Sequence, residues 1–275
     1  MIKLIATDLD GTLLDPKGNL PTEIFPLIRR LFERGVLFVP ASGRQIDNLE
    51  KTFAPVLEQC AFIAENGALV KYKGKTVYLD PLPKEKAKEA IDVVRASDGL
   101  YPIVCTEKVA YIENDVEPFF SRTTTPYASY KLVPDLKRVL DETPCCKISV
   151  FCERPAKDYS VPILTKALQG VRVILSGNHW CDVSSVTAHK GAALKALQQT
   201  LGISREECLA FGDQMNDVEM LRAAAHTAAP KNAYPPVKAQ VEKIIPSNAD
   251  GGVLKAISAM LENPKGVWLW TKNLS

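Results

Sequence analysis

The stretch MIKLIATDLDGTLLD, residues 1–15, decides the fold. Its residues 2–7 are mostly apolar and run directly into two aspartates, Asp8 and Asp10, and then into Gly11. A short apolar run that ends at a turn predicts a strand buried on both faces, which is typical of a parallel sheet. Two like charges at the end of such a strand are unfavourable unless the protein uses them.

The pattern of the first strand recurs along the chain. Further buried strands are predicted at residues 36–41, 61–64 and 208–211. Between them, residues 22–35 predict a helix that begins after Thr22 as N-cap and ends at Gly35, with Pro26 moving its first turn later. Strands that alternate with helices predict an α/β fold with a parallel sheet.

The sequence pattern in the middle of the chain differs from the alternating strands and helices of both ends. Asn66-Gly67 and Lys73-Gly74 stand among alternating residues, which predicts a hairpin. Pro81 and Pro83 then form a stiff junction, after which helix and strand signals are mixed until the alternation resumes. The sequence therefore predicts a second domain inserted into the first. The predicted bounds are 1–82 and 187–275 for the core and 83–186 for the insertion.

The composition is that of an ordinary globular chain of 275 residues, with 46% hydrophobic and 24% charged residues. A net charge of +2 gives no electrostatic argument for nucleic acid or an anionic membrane as partner. No apolar run reaches the roughly 20 residues of a membrane helix, and Asp8 and Asp10 interrupt the place where a signal peptide needs apolar residues. Seven scattered cysteines without a C-x-x-C pair predict free thiols. These features predict a cytoplasmic protein.

Asp8 and Asp10 are two residues apart, so both carboxylates point to the same side if the strand continues to Asp10. That side lies past the carboxyl end of the strand, where open α/β sheets bind ligands. Two carboxylates this close need a cation or a shared proton, and Mg²⁺ prefers oxygen ligands of this kind. Gly11 permits a turn, and Thr12 can form a hydrogen bond there. The alternative is an acidic cap or Asx-turn without function, and this motif alone leaves both open.

A second motif, Ser42-Gly43-Arg44, follows the predicted strand at 36–41 and precedes a helical pattern. A hydroxyl and main-chain N–H groups at such a junction can bind an anion, and the Arg44 guanidinium is a fork-shaped donor for phosphate or carboxylate. The alternative is a serine that caps a tight turn.

Two further motifs place charge at predicted helix starts. Lys190 lies in the first turn of a helix with Thr187 as predicted N-cap, where a lysine opposes the helix dipole and indicates an anionic partner. His189 beside it is interpreted as a surface or packing residue. In the fourth motif, GDQMND at 212–217, Asp213 and Asp217 can face one metal ion across a turn.

Asn216, in the same fourth motif, offers an amide to a phosphate. Each of the four motifs lies at a strand end or helix start, on the edge where parallel sheets bind ligands. Carboxylates, a hydroxyl and a cation in one place are what phosphoryl transfer with a metal requires.

The motifs DLDGTLLD, ASGR, HKG and GDQMND, in this order, resemble the four motifs of the haloacid dehalogenase superfamily of phosphohydrolases, and are most similar to its Cof-type, subfamily IIB members. AENGALV at 64–70 and SNADGGVLKAI at 247–257 resemble further stretches of that subfamily. The resemblance implies a Rossmann-like parallel-sheet core with an inserted α/β cap. Ser42 stands where threonine is frequent, and Pro230-Lys231-Asn232 replaces an apolar-Gly-Asn run at a place interpreted as remote from the chemistry.

The resemblance also implies a role for each motif residue. Asp8 is the expected nucleophile, which forms an aspartyl-phosphate, Asp10 is the expected general acid and base, and Lys190 offsets the charge repulsion. The expected phosphate-binding residues are Leu9 and Gly43 through their main chain, with Ser42, Arg44, Lys190 and Asn216. The expected Mg²⁺ ligands are Asp8, Asp213, the Asp10 carbonyl oxygen and, through water, Asp217.

The function implied is a Mg²⁺-dependent phosphatase of small phosphomonoesters such as sugar phosphates. Because the cap of this family closes over the site, polar residues of the inserted segment are candidate substrate contacts, and each can equally be a surface or hinge residue. These candidates are Arg122, His179, Trp180 and Asp182. The alternatives are a phosphomutase or phosphotransferase and a non-catalytic binding module. The substrate and the oligomeric state are left open.

Overall fold

The computed structural model of the protein describes residues 1–124, 127 and 129–263. Residues 125, 126, 128 and 264–275 of the two predicted domains lie outside this description. The chain divides into two compact units. Among the described residues, the first comprises Met1–Ser42, Leu49–Tyr78 and residues 189–263, and the second comprises Gly43–Asn48 and those of Leu79–Ala188. Nothing in the sequence indicated that Gly43–Asn48 would group with the second unit.

The first unit contains an eight-stranded sheet, and its elements are numbered along the whole chain. Its strands are β1 (Leu4–Asp8), β2 (Leu37–Ala41), β3 (Ala61–Ala64), β4 (Leu69–Tyr72), β5 (Lys75–Leu79), β12 (Cys208–Phe211), β13 (His226–Pro230) and β14 (Lys243–Ile245). The strand order is β14-β13-β12-β1-β2-β3-β4-β5. The six strands from β14 to β3 run parallel, whereas β4 is antiparallel to β3. The four predicted buried strands and the hairpin are confirmed.

Five helices of the described residues contact this sheet. They are α1 (Ile24–Glu33), α7 (Lys190–Leu201), α8 (Val218–Ala223), α9 (Pro235–Lys238) and α10 (Gly252–Glu262). Helix α2 (Ile46–Thr52) begins in the second unit and ends in the first. In α7, Leu194 and Leu197 pack with sheet residues such as Val39 and Ile63. The N-cap of α1 is Glu23 rather than the predicted Thr22, and Pro26 fits its first turn because N–H groups there have no intrahelical acceptor.

The second unit contains a six-stranded sheet of order β10-β11-β9-β6-β7-β8. Its strands are β6 (Leu100–Thr106), β7 (Ala110–Ile112), β8 (Tyr130–Leu132), β9 (Cys145–Cys152), β10 (Val171–Gly177) and β11 (Trp180–Ser185), and its helices are α3 (Lys84–Arg95), α4 (Phe119–Thr124), α5 (Leu136–Glu142) and α6 (Ser160–Ala167). Apolar residues of α3, α5 and α6 pack on one face of the sheet, and an aromatic cluster around Phe119 and Phe151 lies on the other.

The second unit interrupts the first in the sequence, between β5 and α7. The predicted fold class, a parallel-sheet α/β core with an inserted α/β unit, is confirmed. All seven cysteines lie within the described residues, are buried and form no disulfide. Within the described residues, no helix has the length and apolar character needed to span a membrane.

Candidate active site

The first strand ends at Asp8, and the chain then enters a tight turn at Leu9–Leu13 instead of continuing as a strand. Asp8 is buried and Asp10 is exposed, so the condition that the strand continues to Asp10 is not met and the two carboxylates do not share one side. The reason is Gly11, whose φ of +85° turns the chain. A Cβ atom at Gly11 would lie 2.5 Å from Oδ2 of Asp213, so only glycine fits here.

Three buried carboxylates meet at the carboxyl edge of the sheet. One oxygen from each of Asp8, Asp213 and Asp217 lies within 4.8 Å of the others. They meet because β1 and β12 are parallel neighbours, with Thr7 opposite Phe211, so both strands end at the same edge. The carboxylate of Asp10 is outside this cluster, and the predicted role of its carbonyl oxygen stays a prediction.

Hydrogen bonds fix two of the carboxylates. Thr12 donates from Oγ1 to Oδ1 of Asp213 at 2.7 Å. The main-chain N–H groups of Asp213 and Gln214 both donate to Oδ2 of Asp217, each at 3.0 Å. The turn of the GDQMND motif therefore orients Asp217, and the turn of the first motif orients Asp213.

Lys190 lies in the middle of these carboxylates and is only 1% exposed. Its Nζ donates to Oδ1 of Asp217 at 2.6 Å and to Oδ1 of Asp8. It lies in the first turn of α7, as predicted, and is its first residue, because the N-cap is His189, whose Nδ1 accepts from the Ala192 N–H at 3.1 Å. The predicted N-cap at Thr187 is wrong, since the imidazole nitrogen satisfies the first turn in its place.

Two glycines allow the start of α7 to reach this position. A Cβ atom at Gly67 would lie 2.2 Å from the carbonyl carbon of His189, and one at Gly191 would lie 2.3 Å from the Glu219 carbonyl oxygen. Any larger residue would push the helix away. The glycines of the ENG and HKG stretches thus have a steric role in placing Lys190.

Burial and neighbouring charges shift the pKa values of the ionisable groups in the site. Burial, followed by repulsion from Asp217, raises the pKa of Asp8 well above its ordinary value, although Lys190 opposes the shift. Burial also raises the pKa of Asp213. For Lys190, burial favours the neutral form, but Asp217 and Asp8 outweigh it and the pKa is raised, so the lysine stays charged.

The other predicted phosphate-binding residues occupy several places. Leu9 is buried in the turn after Asp8, and Asn216 is half-buried in the turn before Asp217. Ser42 is buried directly after β2, where its N–H donates to the Ile63 carbonyl at 2.9 Å. Gly43 and Arg44 belong to the second unit. For all of these residues, phosphate binding stays a prediction.

Asn232 is a residue that the sequence interpretation missed, because its segment was interpreted as remote from the chemistry. Its side-chain N–H donates to the Gly11 carbonyl at 2.8 Å, and its Oδ1 accepts from the Asn248 N–H at 3.0 Å. Asn248 in turn donates to the Leu14 carbonyl at 2.9 Å. The interpretation was wrong, since two asparagines support the turn that follows Asp8.

The four candidates of the inserted segment have ordinary structural partners or lie at the surface. Arg122 is exposed on α4. The Nδ1 of His179 is 2.9 Å from the Cys152 carbonyl oxygen, and the Trp180 ring packs against that of Phe151. Asp182 is buried and paired with Lys147. Their contact with a substrate stays a prediction.

The donor set of the site fits a hard divalent cation. Three carboxylates and one ammonium sum to a charge of −2 when all are ionised (−3 + 1). Carboxylate oxygens without nitrogen or sulfur ligands are what Mg²⁺ prefers. Asp8, Asp213 and Asp217 are the residues that would hold it.

The fold and this site define the class of the protein: an α/β enzyme with an inserted unit and a carboxylate–lysine centre at the sheet edge. The model of the haloacid dehalogenase-like hydrolase family matches residues 5–257. The chain belongs to this family, and the predicted resemblance is confirmed.

The known relatives agree with this assignment. The 5-amino-6-(5-phospho-D-ribitylamino)uracil phosphatase YbjI of Escherichia coli (strain K12) is 30% identical over 268 residues, which cover 95% of this chain and 97% of that protein. An HMP-PP phosphatase of Escherichia fergusonii is 29% identical over 279 residues, which cover 96% and 97%. Both are named phosphatases, in agreement with the predicted class of phosphoric monoester hydrolase.

The fold is also found among solved structures. A haloacid dehalogenase-like hydrolase from Bacteroides thetaiotaomicron is 25% identical and superposes with a TM-score of 0.83, over 94% of this chain and 100% of that one. The likeness extends over both units of the chain.

Proposed function

We propose that the protein is a Mg²⁺-dependent phosphatase that hydrolyses small phosphorylated metabolites through a phosphorylated Asp8. The observation that carries this proposal is the buried cluster of Asp8, Asp213 and Asp217 around Lys190, with its excess of negative charge. A site that only stabilised the fold would be closer to neutral, because unbalanced buried charge is strongly destabilising.

In the first step, a carboxylate oxygen of Asp8 attacks the phosphorus atom of the substrate. The bond from phosphorus to the ester oxygen breaks, and Asp10 donates a proton to that oxygen, so that an alcohol leaves. Lys190 stabilises the ionised form of Asp8 and neutralises charge near the phosphoryl group. The exposed position of Asp10 suits a residue that meets a leaving group.

In the second step, Asp10 removes a proton from a water molecule, whose oxygen attacks phosphorus. The bond from phosphorus to the Asp8 oxygen breaks, which releases inorganic phosphate and restores the carboxylate. Ser42, Asn216, Lys190 and the main chain at Leu9 and Gly43 hold the phosphoryl group, and Arg44 lies toward the leaving group. Mg²⁺, when bound, supplies positive charge that reduces repulsion between Asp8 and the phosphate.

The relatives guide the choice of substrates. The panel for a test contains sugar phosphates, phosphoglycolate, nucleotides and pyridoxal phosphate. It also contains 5-amino-6-(5-phospho-D-ribitylamino)uracil and HMP-PP, for which the relatives are named. Phosphate release is measured with Mg²⁺ and again after EDTA treatment. We expect release from at least one compound that depends on Mg²⁺.

Two results would contradict the proposed phosphatase activity, and a third would contradict its dependence on Mg²⁺. Absence of phosphate release across the whole panel would favour a binding module without turnover. Conversion of a hexose 1-phosphate into its isomer without free phosphate would favour a phosphomutase. Release that persists undiminished after EDTA treatment would contradict the metal requirement alone.

A further inference from the structure

A second buried lysine lies in the sheet of the second unit. Lys147 on β9 is 4% exposed and Asp182 on β11 is 1% exposed, and their Nζ and Oδ2 atoms are 3.1 Å apart. Lys147 is opposite Ser184 in the β9–β11 register, so Asp182 is its diagonal neighbour on the same face of the sheet. The pair is electrically balanced.

This lysine has a second partner outside the sheet. Its Nζ donates to the carbonyl oxygen of Gly43 at 2.8 Å. That carbonyl belongs to the peptide that joins Gly43, whose main chain is proposed to hold the phosphoryl group, to Arg44, which is proposed to lie toward the leaving group. A donor on a carbonyl oxygen fixes the peptide plane and polarises its N–H group, here that of Arg44.

The same segment has a second attachment within its unit. Gln45 is 3% exposed, its Nε2 donates to the Ser129 carbonyl at 3.1 Å, and its Oε1 accepts from the Ser129 N–H at 3.4 Å. Gly43–Asn48 therefore groups with the second unit through specific hydrogen bonds. Ser42, the preceding residue, is held by β3 of the first unit instead.

We propose that Lys147 is a positioning residue for phosphate binding: its ammonium group, held by Asp182, orients the peptide between Gly43 and Arg44. This inference rests on the proposed function, because it assumes that the main chain at Gly43 faces the phosphoryl group. Asp182 keeps the ammonium group charged and in place, and the sheet supplies rigidity. The effect reaches the phosphate through main chain, so it does not depend on which alcohol leaves.

The test compares Lys147→Met with Lys88→Met, which removes a lysine from the exposed Lys88–Asp141 pair of the same unit. The probe is inorganic phosphate in the presence of Mg²⁺, with affinity measured by titration calorimetry. We expect Lys147→Met to weaken phosphate binding roughly ten-fold, since a charge-assisted hydrogen bond that orders the loop is lost. Lys88→Met should bind phosphate as the wild type does.

Steady-state kinetics with two substrates distinguish a positioning role of Lys147 from a direct contact of Lys147 with the leaving group. We expect kcat/KM to fall by a similar factor for p-nitrophenyl phosphate and for a sugar phosphate. Loss with the sugar phosphate alone, or unchanged phosphate affinity in folded Lys147→Met protein, would overturn the inference. If Lys147→Met does not fold, the double variant Lys147→Met/Asp182→Asn removes both buried charges, and its phosphate affinity decides in the same way.

This design also distinguishes the two proposals. If the wild type binds phosphate but hydrolyses nothing, the proposed function fails, while the calorimetry still tests the role of Lys147. If hydrolysis occurs and phosphate affinity is the same in all variants, the positioning role fails and the proposed function stands.

Discussion

Each of the two units buries a lysine that is paired with at least one carboxylate, and the two sites differ in charge. In the first unit, Lys190 faces Asp8 and Asp217, with Asp213 beside them. In the second unit, Lys147 faces Asp182 and a carbonyl oxygen. Both lysines are almost fully buried.

The difference indicates which site is built for chemistry. A balanced buried pair such as Lys147–Asp182 needs no further ion, so its use is to hold geometry. The cluster around Lys190 has three carboxylates for one ammonium group, and this excess of negative charge suits a divalent cation. Burial, followed by repulsion from Asp217, raises the pKa of Asp8 there. Charge imbalance, more than burial, marks the candidate active site.

The largest effect is expected when the attacking carboxylate is removed. Asp8→Asn should lower phosphate release by at least about 10⁴-fold, because the amide cannot form the phosphorylated intermediate. Release is measured on protein whose circular dichroism matches the wild type, with Asp158→Asn at an exposed position as control. Retained turnover in the Asp8 variant would end the nucleophile assignment.

The second-largest effect is expected when the carboxyl group of Asp10 is removed, and it tests whether Asp10 transfers a proton to the leaving group. Asp10→Asn should slow hydrolysis of alkyl phosphates by about 10²–10⁴-fold, and of an activated aryl phosphate much less, because the aryl oxygen leaves without a proton. Rates for both substrates are compared in the same preparation. Equal losses on the two would argue against a role of Asp10 in proton transfer.

Removing the ammonium from the unbalanced cluster should affect both catalysis and stability. Lys190→Met should lower turnover about 10²–10³-fold and lower the free energy of unfolding of the metal-free protein by about 3–5 kcal/mol, since the buried carboxylates lose their counter-charge. Lys195→Met, at an exposed position of α7, is the control and should change stability by no more than about 0.5 kcal/mol. Equal stability of the two variants would show that Lys190 does not balance the cluster.

The raised pKa of Asp8 predicts a dependence of stability on pH in the metal-free protein. The folded state binds the Asp8 proton more tightly than the unfolded state, where the pKa is near 3.8. The resulting stabilisation is complete below that value and is lost as the pH rises through the raised pKa. Asp217, Asp213 and Lys190 are the charged groups that set this value.

Denaturant unfolding in EDTA, repeated at several pH values from about 4 to 7, measures this effect. Relative to Asp8→Asn, the wild type should lose stability as the pH rises, and added Mg²⁺ should restore it by binding the ionised carboxylates. A difference between the two proteins that is independent of pH would contradict the prediction.

The smallest effect on activity is expected when the hydrogen bond from Asn232 to the turn after Asp8 is removed. Asn232→Ala removes the hydrogen bond to the Gly11 carbonyl and should lower kcat/KM roughly five-fold, equivalent to about 1 kcal/mol. Steady-state kinetics of this variant are compared with those of Gln240→Ala, which removes a surface contact with Arg222. No change in the Asn232 variant would mean that the turn keeps its shape without this support.

The sequence predicted the residues of the cluster because parallel topology fixes where strand ends lie. Asp8 and Asp213 each follow a recognisable buried strand, and Lys190 begins a recognisable helix. Whether the strand continued to Asp10 was left open, because the turn there depends on the φ of Gly11 and on the proximity of Asp213.

Two hydrogen bonds of the site and its surroundings join distant parts of the chain, and no local sequence pattern predicts them. Asn232 forms a hydrogen bond with Gly11, 221 residues away in the sequence, and Lys147 forms one with Gly43, 104 residues away.

The N-cap of α7 was assigned to Thr187 because threonine is a common cap, whereas His189 accepts the hydrogen bond in the fold. Local propensity thus located the helix and missed its cap.

The most direct test of the central claim is an acid quench of the wild type during turnover of a radiolabelled phosphomonoester in Mg²⁺, followed by digestion and mass spectrometry. The account predicts a labelled phosphoryl group on the peptide that contains Asp8, and none in Asp8→Asn. Turnover without any labelled protein, or with the label on a different peptide, would contradict it.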